Sequence, residues 1–218
     1  LTSVAYMAAI RKGRELATRS QWSMPKLLLS CVVVVGAIGV VVPDVAGLGL
    51  RQINQMLDAQ FGLGMLLVLL AGKIFVTAYC LNTGFFGGVF GPALFVGAAT
   101  GAVVAHVAIL LGLAPHLSYA LPVAAIAAVG GAVIGAPLTA IMIVIELTGS
   151  YAYGLSAMLC AILCSLLTLR FFGLSYFDRQ LLDRGVDLRL GQEHVELSLT
   201  PISEIESGEF VRLEADTP

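Results

Sequence analysis

Apolar residues fall in long blocks along this chain, separated by short stretches of glycine, proline and charge, and the blocks predict helices. A first helix runs to about Ser20, and further spans cover roughly residues 24 to 42 and 62 to 80. Another helix runs from about Phe90 to Leu113, a shorter one from about Ala120 to Ile134, and the next from Pro137 to about Gly149. A last span covers about 153 to Leu169, and LSYFDRQLLDRG then reads as an amphipathic helix leaving the apolar region. SMPK turns the chain after the first helix, Pro43 ends the second block, and Pro115 with His116 opens a loop. GLGLRQINQML, with Arg51 and the nearby Asp58, is too polar for lipid and belongs at the outer surface or inside protein. The two pieces flanking Gly135, Ala136 and Pro137 reach roughly 20 Å each, at about 1.5 Å per residue, against a hydrocarbon core of about 30 Å. Neither crosses alone, so the pattern predicts broken helices whose ends are buried in protein or line an aqueous cavity.

Composition fixes the solvent. With 58% hydrophobic and 12% charged residues, the chain is an all-α polytopic membrane protein in multiple passes through a lipid bilayer. Between Ile74 and Arg170 the only charged side chain is Glu146. Arg11, Lys12, Arg14, Arg19 and Lys26 cluster before the second block, and Arg170, Arg179, Arg184 and Arg189 follow the last. The excess of positive charge places both regions in the cytoplasm. Past Leu190 the sequence turns polar and acidic, with VELSL and EFVRL as candidate strands. Lys73, inside an apolar span, either snorkels to the interface or sits in the protein interior. Cys31, Cys80, Cys160 and Cys164 all lie in apolar stretches and read as buried thiols, and no histidine or acid accompanies Cys160 and Cys164, four apart, to make a metal site. No signal-peptide pattern opens the chain and no methionine begins it, so it reads as an excerpt of a longer one.

The candidate chemistry lies in GFFGGVFGPALFVGAATGAVVAHV, residues 84 to 107. Pro92 suits the first turn of a helix, where its missing N–H would have had no partner. Gly87 and Gly88 are expected to give the loop conformations closed to other residues and a close approach to a ligand. The N–H groups near Val89, Phe90 and Gly91 are then unpaired donors at the positive end of a helix dipole, which attracts an anion. No lysine or arginine adjoins them in sequence, so the loop offers partial charges only, suited to an ion that binds and leaves. The competing explanation is close helix packing, with Gly97 and Gly101 as contact residues. Glu146, near the end of a short helix, is expected to bond a neighbouring helix end or loop, while Tyr151 and Tyr153 read as interfacial aromatics. His106 and His116 read as packed or loop residues. No HExxH, no paired intramembrane aspartates and no serine with a facing histidine point to an enzyme.

GGVFGP resembles the GxFxP signature of CLC chloride channels and chloride/proton exchangers of the prokaryotic type. GAPLTAIMIVIELT, residues 135 to 148, is similar to the helix-breaking stretch that follows it in that family, and LSYFDRQLL, residues 174 to 182, to the start of the last membrane helix. The resemblance implies a CLC-type fold of tilted, broken and re-entrant helices. Residues 1 to 189 would be the second half of its inverted repeat. Residues 190 to 218 would be a cytosolic linker and the truncated start of a CBS domain, where the parent protein would meet a nucleotide. It implies further that amides of Val89 and Phe90 serve a central chloride, with Gly91 nearer an outer site and the Tyr176 hydroxyl completing the centre from the cytoplasmic side. Gly87, Gly88 and Pro92 would shape the site. Chloride is then the bound substrate, protons a coupled partner in exchangers and a homodimer the expected assembly. No cofactor, metal or nucleic acid is called for. The family's gating glutamate, central serine and inner proton glutamate belong to motifs absent from this chain. Phe85 and Phe86 depart from the small residues frequent there in the family, which bears on the width of the nearby path. The alternative is a broken-helix secondary transporter of a small organic solute, which calls for more polar side chains at the breaks than GGVFGP and GAPLT supply.

Overall fold

The computed structural model describes residues 1–20, 22–85, 87–112 and 117–183. These form nine α-helices in chain order: α1 Thr2–Arg19, α2 Met24–Val41, α3 Leu50–Leu57, α4 Leu63–Asn82, α5 Phe90–Leu110, α6 Leu117–Ile134, α7 Pro137–Thr148, α8 Tyr151–Phe172 and α9 Tyr176–Leu182. A 3-10 turn, Pro43–Val45, lies between α2 and α3. Residues 1–177 make one compact unit and 178–218 a second, of which the described part is the end of α9. The tail with its candidate strands, and with it the expected CBS segment, lies outside the described residues, as does His116.

Prolines and glycines set the boundaries as their chemistry requires. Pro25 and Pro137 stand in the first turns of α2 and α7, where no N–H is missed. Gly135, at φ 83°, takes the left-handed conformation that lets the chain leave α6 and start α7 two residues later. The helix α6 is longer than the apolar pattern suggests. It begins at Leu117 and carries Pro122 inside, and its 18 residues span about 27 Å. The ring of Tyr119 packs on Tyr153 of α8 at 5.2 Å between centroids, so this first turn is held by a contact distant in sequence. At 12 residues, or about 18 Å, α7 remains too short to cross. Among the described residues four helices, α2, α4, α5 and α8, are long and apolar enough to cross a membrane.

At the centre of the unit α5 packs along α6, and α6 packs in turn on α7 and α8. Phe95, Ala98, Ala99 and Ala102 of α5 join Val123, Ile126 and Ala127 of α6 in the larger apolar cluster. Gly97 and Gly101 set the spacing: a Cβ on Gly97 would stand 2.6 Å from the Ala125 carbonyl oxygen, and one on Gly101 would overlap Pro122 Cα. The two backbones touch, as small-residue packing in membranes allows. Polar side chains fasten α1 to its neighbours. Asn82 of α4 donates to the Ile10 carbonyl at 2.9 Å, and the hydroxyls of Ser3 and Thr168 of α8 bond at 2.9 Å. Along most of their length α2 and α8 expose mainly apolar side chains, among them Val32, Val33, Val40, Leu155, Leu159 and Leu163, as lipid contact requires, while the charged Lys26 and Arg170 lie near their ends. Cys31 is buried and Cys80, Cys160 and Cys164 are half-buried; all four are free thiols.

Backbone contact between α5 and α6 makes the sign of a glycine substitution depend on its place. Gly101→Ala is expected to cost about 1–3 kcal/mol, because two backbones must separate. Gly39→Ala, in α2 with nothing within 4 Å, is expected to be neutral or to gain up to about 1 kcal/mol. Thermal unfolding in detergent checks both, and equal midpoints for the two variants would contradict backbone contact.

Candidate functional site

The start of α5 presents donors. Val89 is its N-cap residue, and the first bond of the helix runs from Ala93 N–H to the Val89 carbonyl at 3.0 Å. Among the described residues no backbone acceptor meets the N–H of Val89, Phe90 or Gly91. That is the pattern of a helix N-terminus, in which the first N–H groups have no intrahelical partner. Pro92, third residue of α5, contributes no N–H, so its place costs no bond. The side chain of Val89 is buried with Ala93, Val96, Val129 and Val133, so the loop is anchored by its apolar side while its amides stay free.

Three further elements close on this loop. Tyr6 of α1 is fully buried, and its hydroxyl donates to the Val89 carbonyl at 3.2 Å. Tyr176, first residue of α9, packs on the same cluster as Tyr6 and Val89. Leu48, in the segment between the 3-10 turn and α3, lies over Gly91, with its Cδ2 3.2 Å from where a Cβ would stand. That segment is fixed by Lys73 of α4. The Lys73 ammonium donates to the Val45 carbonyl at 3.0 Å and to the Gly47 carbonyl, and sits 4.8 Å from the centre of the Phe95 ring. Of the two fates open to Lys73, the structure takes the interior: it is 3% exposed and fully occupied by carbonyls and a ring face. Gln52 adds a bond to Asp44 at 3.0 Å across the same segment.

A family model described as voltage gated chloride channel matches residues 1–169. The chain belongs to the CLC family. It is 35% identical over 113 residues to the H(+)/Cl(-) exchange transporter ClcA of Vibrio cholerae, covering 50% of this chain and 24% of that protein. Against the H(+)/Cl(-) exchange transporter ClcA of Vibrio vulnificus it is 31% identical over 131 residues, or 56% of this chain and 28% of the relative. This CLC chain thus spans about a quarter of the length of those relatives. Its fold is similar to that in the crystal structure of a slow cyanobacterial Cl-/H+ antiporter, with a TM-score of 0.71 at 21% identity over 84% of this chain and 43% of the other. Family and fold together make it an integral membrane protein with a polytopic all-α architecture.

The CLC chain gathers some of the residues singled out from its sequence and separates others. Val89, Phe90, Gly91 and Pro92 form one helix start, and Tyr176 shares a cluster with Val89. The expectation for the loop glycines needs correction. Gly88 does not have a positive φ, and a Cβ on Gly87 or Gly88 would meet nothing within 4 Å. A left-handed glycine lies earlier, at Gly84 with φ 99°, directly after the C-cap residue of α4. Glu146 is exposed on α7, and among the described residues no bond joins it to a neighbouring helix end. His106 packs within its helix, with Nδ1 3.2 Å from the Ala102 carbonyl oxygen. Tyr151 is exposed, whereas Tyr153 is half-buried against Tyr119. Sequence reading missed Tyr6. Its signal was a phenol on the apolar side of α1 beside Met7 and Ile10, where a buried hydroxyl needs an acceptor.

Lys73→Met keeps the volume and removes the donor, leaving the Val45 and Gly47 carbonyls without the ammonium. A cost of about 1–3 kcal/mol for each buried carbonyl left unpaired is expected. It should appear as a lowered thermal midpoint, while Lys26→Met, at an exposed position, should leave the midpoint within about 0.5 kcal/mol of the parent.

Proposed function

We propose that this chain is the second half of the membrane domain of a transporter that carries chloride or a related small anion, and that the start of α5 binds the ion. The observation that carries the reading is the set of first-turn N–H groups at Val89, Phe90 and Gly91, with no backbone acceptor among the described residues, inside a stretch from Ile74 to Leu169 whose only charged side chain is Glu146. In this reading the amides of Val89 and Phe90 serve the central ion, Gly91 faces an outer site, and the Tyr176 hydroxyl closes the centre from the cytoplasmic side. Gly87 and Gly88 contribute open space beside the ion, and Gly88 does so without a left-handed φ.

Physical chemistry supports the assignment. An anion leaving water for a membrane interior loses its hydration at a cost of tens of kcal/mol in the uncompensated limit, of order that of any isolated charge. Amide and phenol donors replace the lost water, and partial charges hold the ion without trapping it. The Vibrio relatives are named as H(+)/Cl(-) exchange transporters, which supports coupling to protons. In the same reading the basic ends face the cytoplasm of a bacterial plasma membrane, the protein works as a homodimer with one path per subunit, and no cofactor takes part. A nucleotide would be met only at CBS domains beyond the described residues. Family membership does not favour the organic-solute transporter.

The reading is tested by chloride flux from liposomes that contain the complete protein, with and without an imposed proton gradient. Chloride movement that drives protons uphill is expected, with coupling weakened in Tyr176→Ala. Absence of any halide flux from a folded preparation would overturn the anion reading, and flux without proton movement would overturn the coupling.

A further inference from the structure

We infer that Tyr6 is a positioning residue for anion binding: from α1, behind the loop, its hydroxyl holds the Val89 carbonyl so that the Phe90 N–H is aimed at the ion. This rests on the reading of Val89, Phe90 and Gly91 as the anion loop.

The argument is one of peptide geometry. The Val89–Phe90 peptide is planar and trans, so its C=O and N–H point in opposite directions and fixing one fixes the other. The Val89 oxygen accepts two bonds, from Ala93 N–H at 3.0 Å and from Tyr6 O–H at 3.2 Å. The first belongs to the opening turn of α5, which by itself is free to fray. The second comes from another helix and ties the same oxygen to the core. Both lone pairs of the carbonyl are thereby engaged. A donor bonded to a carbonyl also polarises the amide across the peptide, and such chains strengthen one another by about 10–30% per bond. Phe90 N–H is then both better aimed and a stronger donor.

Tyr6 is built to hold still. Its ring is 0% exposed, and it lies with Met7, Ile10, Ala93, Val96, Val129 and Val133 in one apolar cluster. Thr77 of α4, itself buried, stands beside the same phenol. Three helices therefore meet around this phenol: α1 supplies Tyr6, α5 begins at the Val89 carbonyl it bonds, and α4 brings Thr77 and Ala78 alongside. A phenylalanine would fill the same space without the cost of burying a hydroxyl, so packing alone does not account for the tyrosine. Tyr176 packs on this cluster as well, so one phenol stands behind the loop peptide while the other belongs to the proposed ion site.

The test compares the complete protein with Tyr6→Phe and Thr77→Val in detergent, reading the chloride Kd by calorimetry and the thermal midpoint in chloride-free buffer. Tyr6→Phe is expected to raise Kd about threefold to tenfold, the range of one hydrogen bond's net worth, and Thr77→Val to raise it about twofold in the same direction. The chloride-free midpoint of each variant should stay close to the parent. A role in stability alone would do the reverse, lowering that midpoint and leaving Kd unchanged, and this result would overturn the inference. Should Tyr6→Phe fail to fold, an unchanged Kd in Thr77→Val overturns it equally. Failure of the unaltered protein to bind chloride would instead remove the anion reading itself, which separates the two failures.

Discussion

A backbone N–H in an apolar interior must find an acceptor, and the region around α5 is organised by the few that do not. Within its interior each helix consumes its own polar groups, which is why a chain this hydrophobic folds as helices in a membrane. At the start of α5 the geometry of the helix itself leaves N–H groups over, and its dipole adds a partial positive charge to the same place. The neighbouring structure holds that surplus in position. Apolar contacts anchor the Val89 side chain, Tyr6 engages the Val89 carbonyl, and Leu48 covers Gly91 under the hold of Lys73. Removing the acceptor requirement would leave this arrangement without a physical reason.

Much of the fold was legible because membrane helices are written in long apolar blocks. Pro25, Pro43, Pro137 and Gly149 marked ends that the structure places within a few residues of expectation. The start of α6 was less legible, since Pro115 and His116 read as a loop while the contact that supports Tyr119 comes from Tyr153, far along the chain. The helix start at Phe90 and its free donors followed from Pro92 and the glycines before it. Which glycine turns was not legible, however: Gly84 rather than Gly88 is left-handed, because a glycine permits such a φ without demanding it, and nothing in GFFGG says which one takes it. Gly97 and Gly101 do serve packing, so the competing explanation for the motif describes the body of α5 while the donors belong to its first turn.

What the apolar pattern hides is the polar wiring between helices. Lys73 is indistinguishable in sequence from a snorkelling lysine, and only the carbonyls of Val45 and Gly47 reveal its role. Tyr6, Ser3 and Asn82 each join α1 to a different helix, through Val89, Thr168 and Ile10. None of these pairs follows a helical period, because each links residues from 72 to 165 positions apart. In a solvent as apolar as the side chains themselves, such bonds and close packing share the task that hydrophobic burial performs in water.

The backbone contact at Gly97 and Gly101 has a mechanical consequence. Two helices in touch along their main chains cannot roll past one another without lifting apart, so α5 and α6 behave as a single stiff beam. The donor loop is the end of that beam. Displacing the amides therefore means moving both helices together, against the bonds that Tyr6 and Lys73 make from outside the pair.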